Sequence, residues 1–196
     1  MQSSRKDPDY HGAVSIAGAS DLRDILTNWS TSGKDAAFYM TYMAYALKAQ
    51  FPDFAPEQIL KGVAREHYAD VTTNGCWSYA YATFLKVPAD PVVKPGWNQL
   101  PTVERFFSNN QLGNTAISGP LLVIAGEGDR TVSIASMRGV VRRACKRGIS
   151  LEFRPYPGLD HDPVMEQSTP DFLSWIHDRL AGKSVPRGCS GMIASE

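Results

Sequence analysis

"PLLVIAGEGDRTV" occupies residues 120–132. Its first six residues, Pro120 to Ala125, are apolar without a break, and two glycines and two acids follow before apolar character returns at Val132. A short continuous apolar run bounded by turn residues predicts a strand buried on both faces of a parallel sheet. The acids Glu127 and Asp129 then fall just past its carboxyl end. In open α/β sheets that edge gathers the ligand-binding loops, because the loops converge there over a rigid sheet. Turn chemistry alone also accounts for Gly and Asp in such a loop.

Toward the C-terminus the pattern predicts a helix from about Ile134 to Lys146, a stop at Gly148, a strand in "SLEFRPY" (150–156), and helices through Leu180. This β-α-β-α order extends one parallel sheet with helices on its faces. Ser168 with Asp171 reads as a capping box, Thr169 as another cap, Pro170 suits a first turn, and Gly182 closes the last helix. Toward the N-terminus, "YHGAVSIAGASDLRDIL" (10–26) reads as a strand from Gly12 to Ala17, a turn, and a helix capped by Ser20 or Asp21.

Between these sections a minimal connection needs one helix, yet residues from about 25 to 115 intervene. "KDAAFYMTYMAYALKAQ" (34–50) has helical composition and is apolar almost all round, so other protein or a ligand must cover it. "APEQILKGVAREHY" (55–68) reads as a second helix with Pro56 in its first turn, and Pro and Gly punctuate the chain as far as Gly96. The stretch is a helical insertion. Its many aromatic and Met side chains suit packing as well as an acyl pocket, and none is singled out as a substrate contact.

Composition narrows the partners. The chain has 196 residues, 43% of them hydrophobic, enough for a sizeable core. Lys plus Arg is 20 and Asp plus Glu is 20, so electrostatics favours neither nucleic acid nor an anionic membrane, and a small neutral partner fits better. The opening "MQSSRKDPDYHG" has no apolar core of a signal peptide, and no run is long enough to span a membrane. Cys76, Cys145 and Cys189 lack C-x-x-C spacing, which argues against a zinc or redox motif. One disulfide with a leftover thiol and three buried thiols both remain open. No metal or cofactor is expected.

The strand after residue 150 also ends in chemistry: "RPYPGLDHDPV" (154–164) sets His161 between two acids just beyond Pro157 and Gly158. Two consecutive strands thus deliver Asp129 and His161 to one sheet edge. A carboxylate on one imidazole nitrogen fixes the tautomer and leaves the other free to take a proton, which general-base catalysis requires. Glu127, Asp160 and Asp162 are the competing acids.

At these residues the sequence resembles the α/β-hydrolase superfamily, and within it the secretory lipase family. The resemblance rests on "GPLLVIAGEGDRTV" (119–132), "CKRGISLEFRPYPGLDHDPV" (145–164) and "FLSWIHDRLAGKSVPRGC" (172–189), with weaker support from "HGAVSIAGASDL" (11–22) and "NNQLGNT" (109–115). It implies the C-terminal part of an α/β-hydrolase fold, a helical cap over the active site in the inserted residues, and a site-bearing section over about 116–185. It further implies Asp129 as the triad acid of a G-x-x-D-x-x-V pattern, His161 as the triad base, carboxylic ester substrates with a lipid-like acyl part, and secretion. If the protein is exported, Cys145 and Cys189 are candidates to pair and Cys76 to pair upstream.

One departure matters: no G-x-S-x-G nucleophile elbow occurs in these residues. In the family the elbow precedes the strand that "HGAVSIAGA" resembles, so the nucleophile and oxyanion donors are expected upstream of Met1, on a missing N-terminal half. Two alternatives are a serine peptidase of the prolyl oligopeptidase type, against which the long insertion weighs, and a non-catalytic hydrolase-like binding module.

Overall fold

The structure, a computed structural model, describes residues 10–19, 21–30, 34–86, 91–113, 117, 119–185 and 189–191. In chain order the elements are β1 (Ala13–Ile16), α1 (Leu22–Trp29), α2 (Lys34–Gln50), α3 (Gly62–Glu66), α4 (Tyr68–Asn74), α5 (Trp77–Phe84), α6 (Pro101–Asn109), β2 (Leu121–Gly126), α7 (Ile134–Lys146), β3 (Leu151–Tyr156), α8 (His161–Gln167), α9 (Thr169–Leu180) and β4 (Cys189–Ser190). They form two compact units, Met1–Asp21 with Gln111–Glu196, and Leu22–Asn110.

The first unit is a four-stranded sheet in the order β1-β2-β3-β4, parallel throughout. Leu121 of β2 sits opposite Ala13 of β1 and Leu151 of β3. The apolar run explains the placement of β2: residues 122–125 are buried, and only a strand covered on both faces hides consecutive side chains. Leu122 and Ile124 pack with Val164 of α8 and Trp175 of α9. On α7, Met137, Val141 and Ala144 are buried, and that helix packs on β2 and β3. Each fully buried Leu or Ile contributes about 1.5–3 kcal/mol.

Local chemistry sets the helix ends. The Ser133 side chain accepts the Ser136 N–H to start α7, and Arg143 and Lys146 occupy its last turn, where a helix favours cations. After α9, the N–H groups of Gly182 and Lys183 bond the carbonyls of Arg179 and Asp178, with Gly182 at φ +74°. These two bonds form a Schellman turn.

The expected Ser168–Asp171 capping box is absent. Ser168 is in helical conformation because α8 runs directly into α9, and its side chain does not cap. The hydroxyl of Thr169 turns back to the Met165 carbonyl. Ser20 lies outside the described residues, and the Asp21 carboxylate meets the Arg143 guanidinium at 2.8 Å. The strand β4 was not expected. It lies beside the start of β3, with Cys189 opposite Leu151, and Cys189 is disulfide-bonded to Cys145 across 5.8 Å between Cα atoms. Cys76 is free and exposed, which excludes three buried thiols.

Among the described residues, the second unit is helical apart from one short β-bridge. The helix α2 is its axis, with α1, α3, α4, α5 and α6 packed against it, so most of its apolar surface is covered by protein while Tyr45 remains exposed. Met40, Leu47, Ile59, Leu60 and Phe84 are fully enclosed. The single helix expected over residues 55–68 is instead a 3-10 turn at Pro56–Gln58, an antiparallel bridge between Leu60 and Val93, and the short α3. Lys61 donates its N–H to the Val92 carbonyl and Lys94 donates to Ile59, which holds Lys61 extended. Tertiary pairing here overrides helix propensity. No helix among the described residues is long and apolar enough to cross a membrane.

Candidate active site

The loops after β2 and β3 are sewn to each other by backbone hydrogen bonds. Glu127 donates its N–H to the Tyr156 carbonyl and Gly128 to that of Leu159, each at 2.9 Å. This approach requires glycine. A Cβ on Gly126 would collide with the Leu159 carbonyl, and one on Gly128 would lie 3.0 Å from the Gly158 oxygen.

Asp129 sits at the turn that follows. Its side chain is 1% exposed, and Oδ1 accepts the backbone N–H groups of Thr131 at 2.8 Å and Val132 at 2.7 Å. Those bonds hold the carboxylate in one orientation, with Oδ2 2.9 Å from Nδ1 of His161. The carboxylate accepts, so Nδ1 donates and carries the ring proton. In the neutral imidazole this puts the lone pair on Nε2. The imidazole is 29% exposed. Among the described residues no side chain bonds Nε2, and no Ser, Thr or Cys bonds His161.

The sequence placed His161 in a loop, but it is the first residue of α8, and Asp160 is the N-cap. Asp160 Oδ1 accepts the N–H of His161 at 2.9 Å and that of Arg130 at 3.1 Å. Oδ2 accepts from the Arg130 guanidinium at 2.9 Å and 2.6 Å. The two backbone donors first, then the guanidinium, hold this carboxyl at about 2.

The four acids therefore separate by contact. Asp129 meets the imidazole, Asp160 clamps Arg130, Glu127 pairs with Arg138 at 3.0 Å, and Asp162 is exposed in the first turn of α8. Arg130 was not foreseen. Its sequence signal is only that it directly follows Asp129. Just upstream, the Tyr156 hydroxyl bonds the Asp171 carboxylate. Burial and then that hydrogen bond push the phenol up to about 12.

The family model for secretory lipases matches residues 12–188. The chain belongs to the secretory lipase family.

Its relatives agree with the fold described above. Lipase A of Arthroderma benhamiae is 22% identical over 89 residues, which is 45% of this chain and 19% of that protein. The structure of Candida antarctica lipase A in its closed state superimposes with a TM-score of 0.74 at 16% identity, covering 94% of this chain and 45% of that one. The rice cell wall degrading esterase LipA from Xanthomonas oryzae gives 0.64 at 15%, covering 88% and 51%. This member of the secretory lipase family thus spans about half the length of its structural neighbours, and it has the α/β-hydrolase fold.

Proposed function

We propose that this chain supplies the acid and the base of a serine ester hydrolase acting on carboxylic esters with a lipid-like acyl part. The observation that carries this reading is the 2.9 Å contact between His161 Nδ1 and a buried Asp129 fixed by two backbone N–H groups. The nucleophilic serine and the oxyanion donors would come from protein outside these 196 residues, since the sequence contains no elbow motif.

In the proposed reaction His161 Nε2 takes the proton of the serine hydroxyl as its oxygen attacks the ester carbonyl. Asp129 stabilises the imidazolium that forms. The imidazolium then protonates the departing alkoxide, leaving an acyl-enzyme and an alcohol. Water gives its proton to Nε2 and attacks the acyl carbon, and the serine leaves with that proton as the free acid departs. We assign residues 22–110 the part of the acyl-selecting cap. Secretion agrees with the Cys145–Cys189 disulfide, which persists in oxidising compartments.

The test is kinetic, on the complete enzyme with an acyl ester and a peptide amide as substrates. His161→Ala lowers kcat by about 10⁵–10⁶-fold and Asp129→Ala by about 10³–10⁴-fold. Near wild-type ester turnover in either variant sinks the assignment, and faster amide than ester cleavage turns it toward a peptidase. A fluorophosphonate probe labels the complete enzyme but not these 196 residues alone. Absence of labelling in both identifies a binding module.

A further inference from the structure

We propose that the cleft at the strand-start edge of the sheet, the edge opposite Asp129 and His161, is a subsite for a small oxyanion held by Arg179. The cleft has a volume of about 360 Å³, and its lining includes Tyr10, His11, Ser150, Arg179, Lys183 and Ser184. Pro120 and Ser150, the residues just before β2 and β3, place it at that edge. Among the described residues, no acidic side chain lines it.

Arg179 is 9% exposed, and burial is rare for an arginine without a carboxylate partner. Its guanidinium carbon lies 4.9 Å from the centre of the Trp175 ring, and Nε donates to the Lys183 carbonyl at 3.0 Å. The Schellman turn at Gly182 fixes that carbonyl. Among the described residues, no carboxylate forms an ion pair with Arg179, and neither Nη nitrogen has a hydrogen-bond partner. Fully enclosed side-chain atoms lacking a partner are, among these residues, only Ser136 Oγ and Trp175 Nε1. The two Nη groups are therefore not fully enclosed, and Arg179 is one of the residues lining the cleft. Lys183 adds no free charge, because its Nζ is 2.7 Å from Asp178 Oδ1. What remains is a guanidinium stacked on Trp175, with Nε held by the Lys183 carbonyl, both Nη groups without a hydrogen-bond partner among the described residues, and the Asp178 carboxylate acting on it only at longer range. That geometry matches two oxygens of a carboxylate or a phosphate. The Ser150 and Ser184 hydroxyls and the Tyr10 and His11 side chains add polar groups to the walls.

The intact protein is titrated with sodium phosphate and, separately, with sodium acetate, with sodium chloride holding ionic strength constant. The readout is the Trp175 indole N–H resonance, assigned with Trp175→Phe. A saturable shift is expected, with a dissociation constant of about 1 mM or tighter. It should disappear in Arg179→Gln and weaken at least about tenfold in Arg179→Lys, which keeps the charge but loses the fork. Saturation by one anion alone, or by both, supports the site and names the oxyanion it takes. A response no larger than that to chloride overturns the proposal, as does wild-type affinity in either variant. If Arg179→Gln loses the dispersed spectrum of a folded protein, Arg179→Lys alone decides.

Discussion

Arg130 closes on Asp160 with its backbone N–H, 3.1 Å from Oδ1, and with its guanidinium, 2.6 Å from Oδ2. Arg130 directly follows Asp129 and Asp160 directly precedes His161. The clamp therefore ties together the immediate neighbours of the two residues whose side chains meet, and sets the distance between them through the backbone.

Asp160→Ala should lower ester turnover of the complete enzyme by up to about 10²-fold, since small displacements of a reacting group carry that cost. Arg130→Ala should do less harm, because its backbone N–H still donates. The clamp is also pH-dependent. The Asp160 carboxyl is lowered from 3.8 to about 2, so its contribution to stability is complete above about pH 4 and is lost as pH falls from there to about 2. Unfolding measured across that window should show a steeper decline in the wild type than in Asp160→Asn. Parallel declines would refute this account.

Tyr156 gives the opposite sign. Its phenol is raised from 10.0 to about 12, by burial and then by the Asp171 carboxylate. The stability it contributes is complete below pH 10 and disappears between 10 and 12. The gap in unfolding free energy between wild type and Tyr156→Phe should narrow over that range. A constant gap contradicts the linkage.

Gly126→Ala should cost about 1–3 kcal/mol and disturb the site, because the new methyl meets the Leu159 carbonyl and one of the two loops must move. Denaturant unfolding gives the first effect. Weakening of the His161 Nδ1–H resonance, as its contact with Asp129 lengthens, reports the second.

Breaking the disulfide by Cys145→Ser with Cys189→Ser should lower stability by up to about 4 kcal/mol, the loop-closure value for cysteines 44 residues apart. Calorimetry under oxidising and reducing conditions should show that only the wild type responds to reductant.

The sheet was legible where burial on both faces left an uninterrupted mark. The apolar run at 120–125 and the Gly148 stop placed β2, α7 and β3 closely. Asp129 and His161 were legible for a related reason: consecutive parallel strands must end at the same edge. Other features left no local trace. The helix over 55–68 was lost to a bridge with Val93, a partner remote in sequence. The two residues of β4 are a strand only through their register with β3, reinforced by the bond to Cys145. Arg130 and Asp160 each read as an ordinary solvated charge until the loops meet.

The described strands form no hairpin, so β1 must wait for β2 during synthesis. The first segment, Ala13–Ile16, has its neighbour at Leu121–Ile124, and the entire helical unit of residues 22–110 emerges before that mate exists. Pairings so remote along the chain slow folding and prolong the exposure of sticky edges. While the chain is being made, the helical residues 22–110 are therefore complete before β1 can meet β2, and the sheet closes only as the later strands arrive.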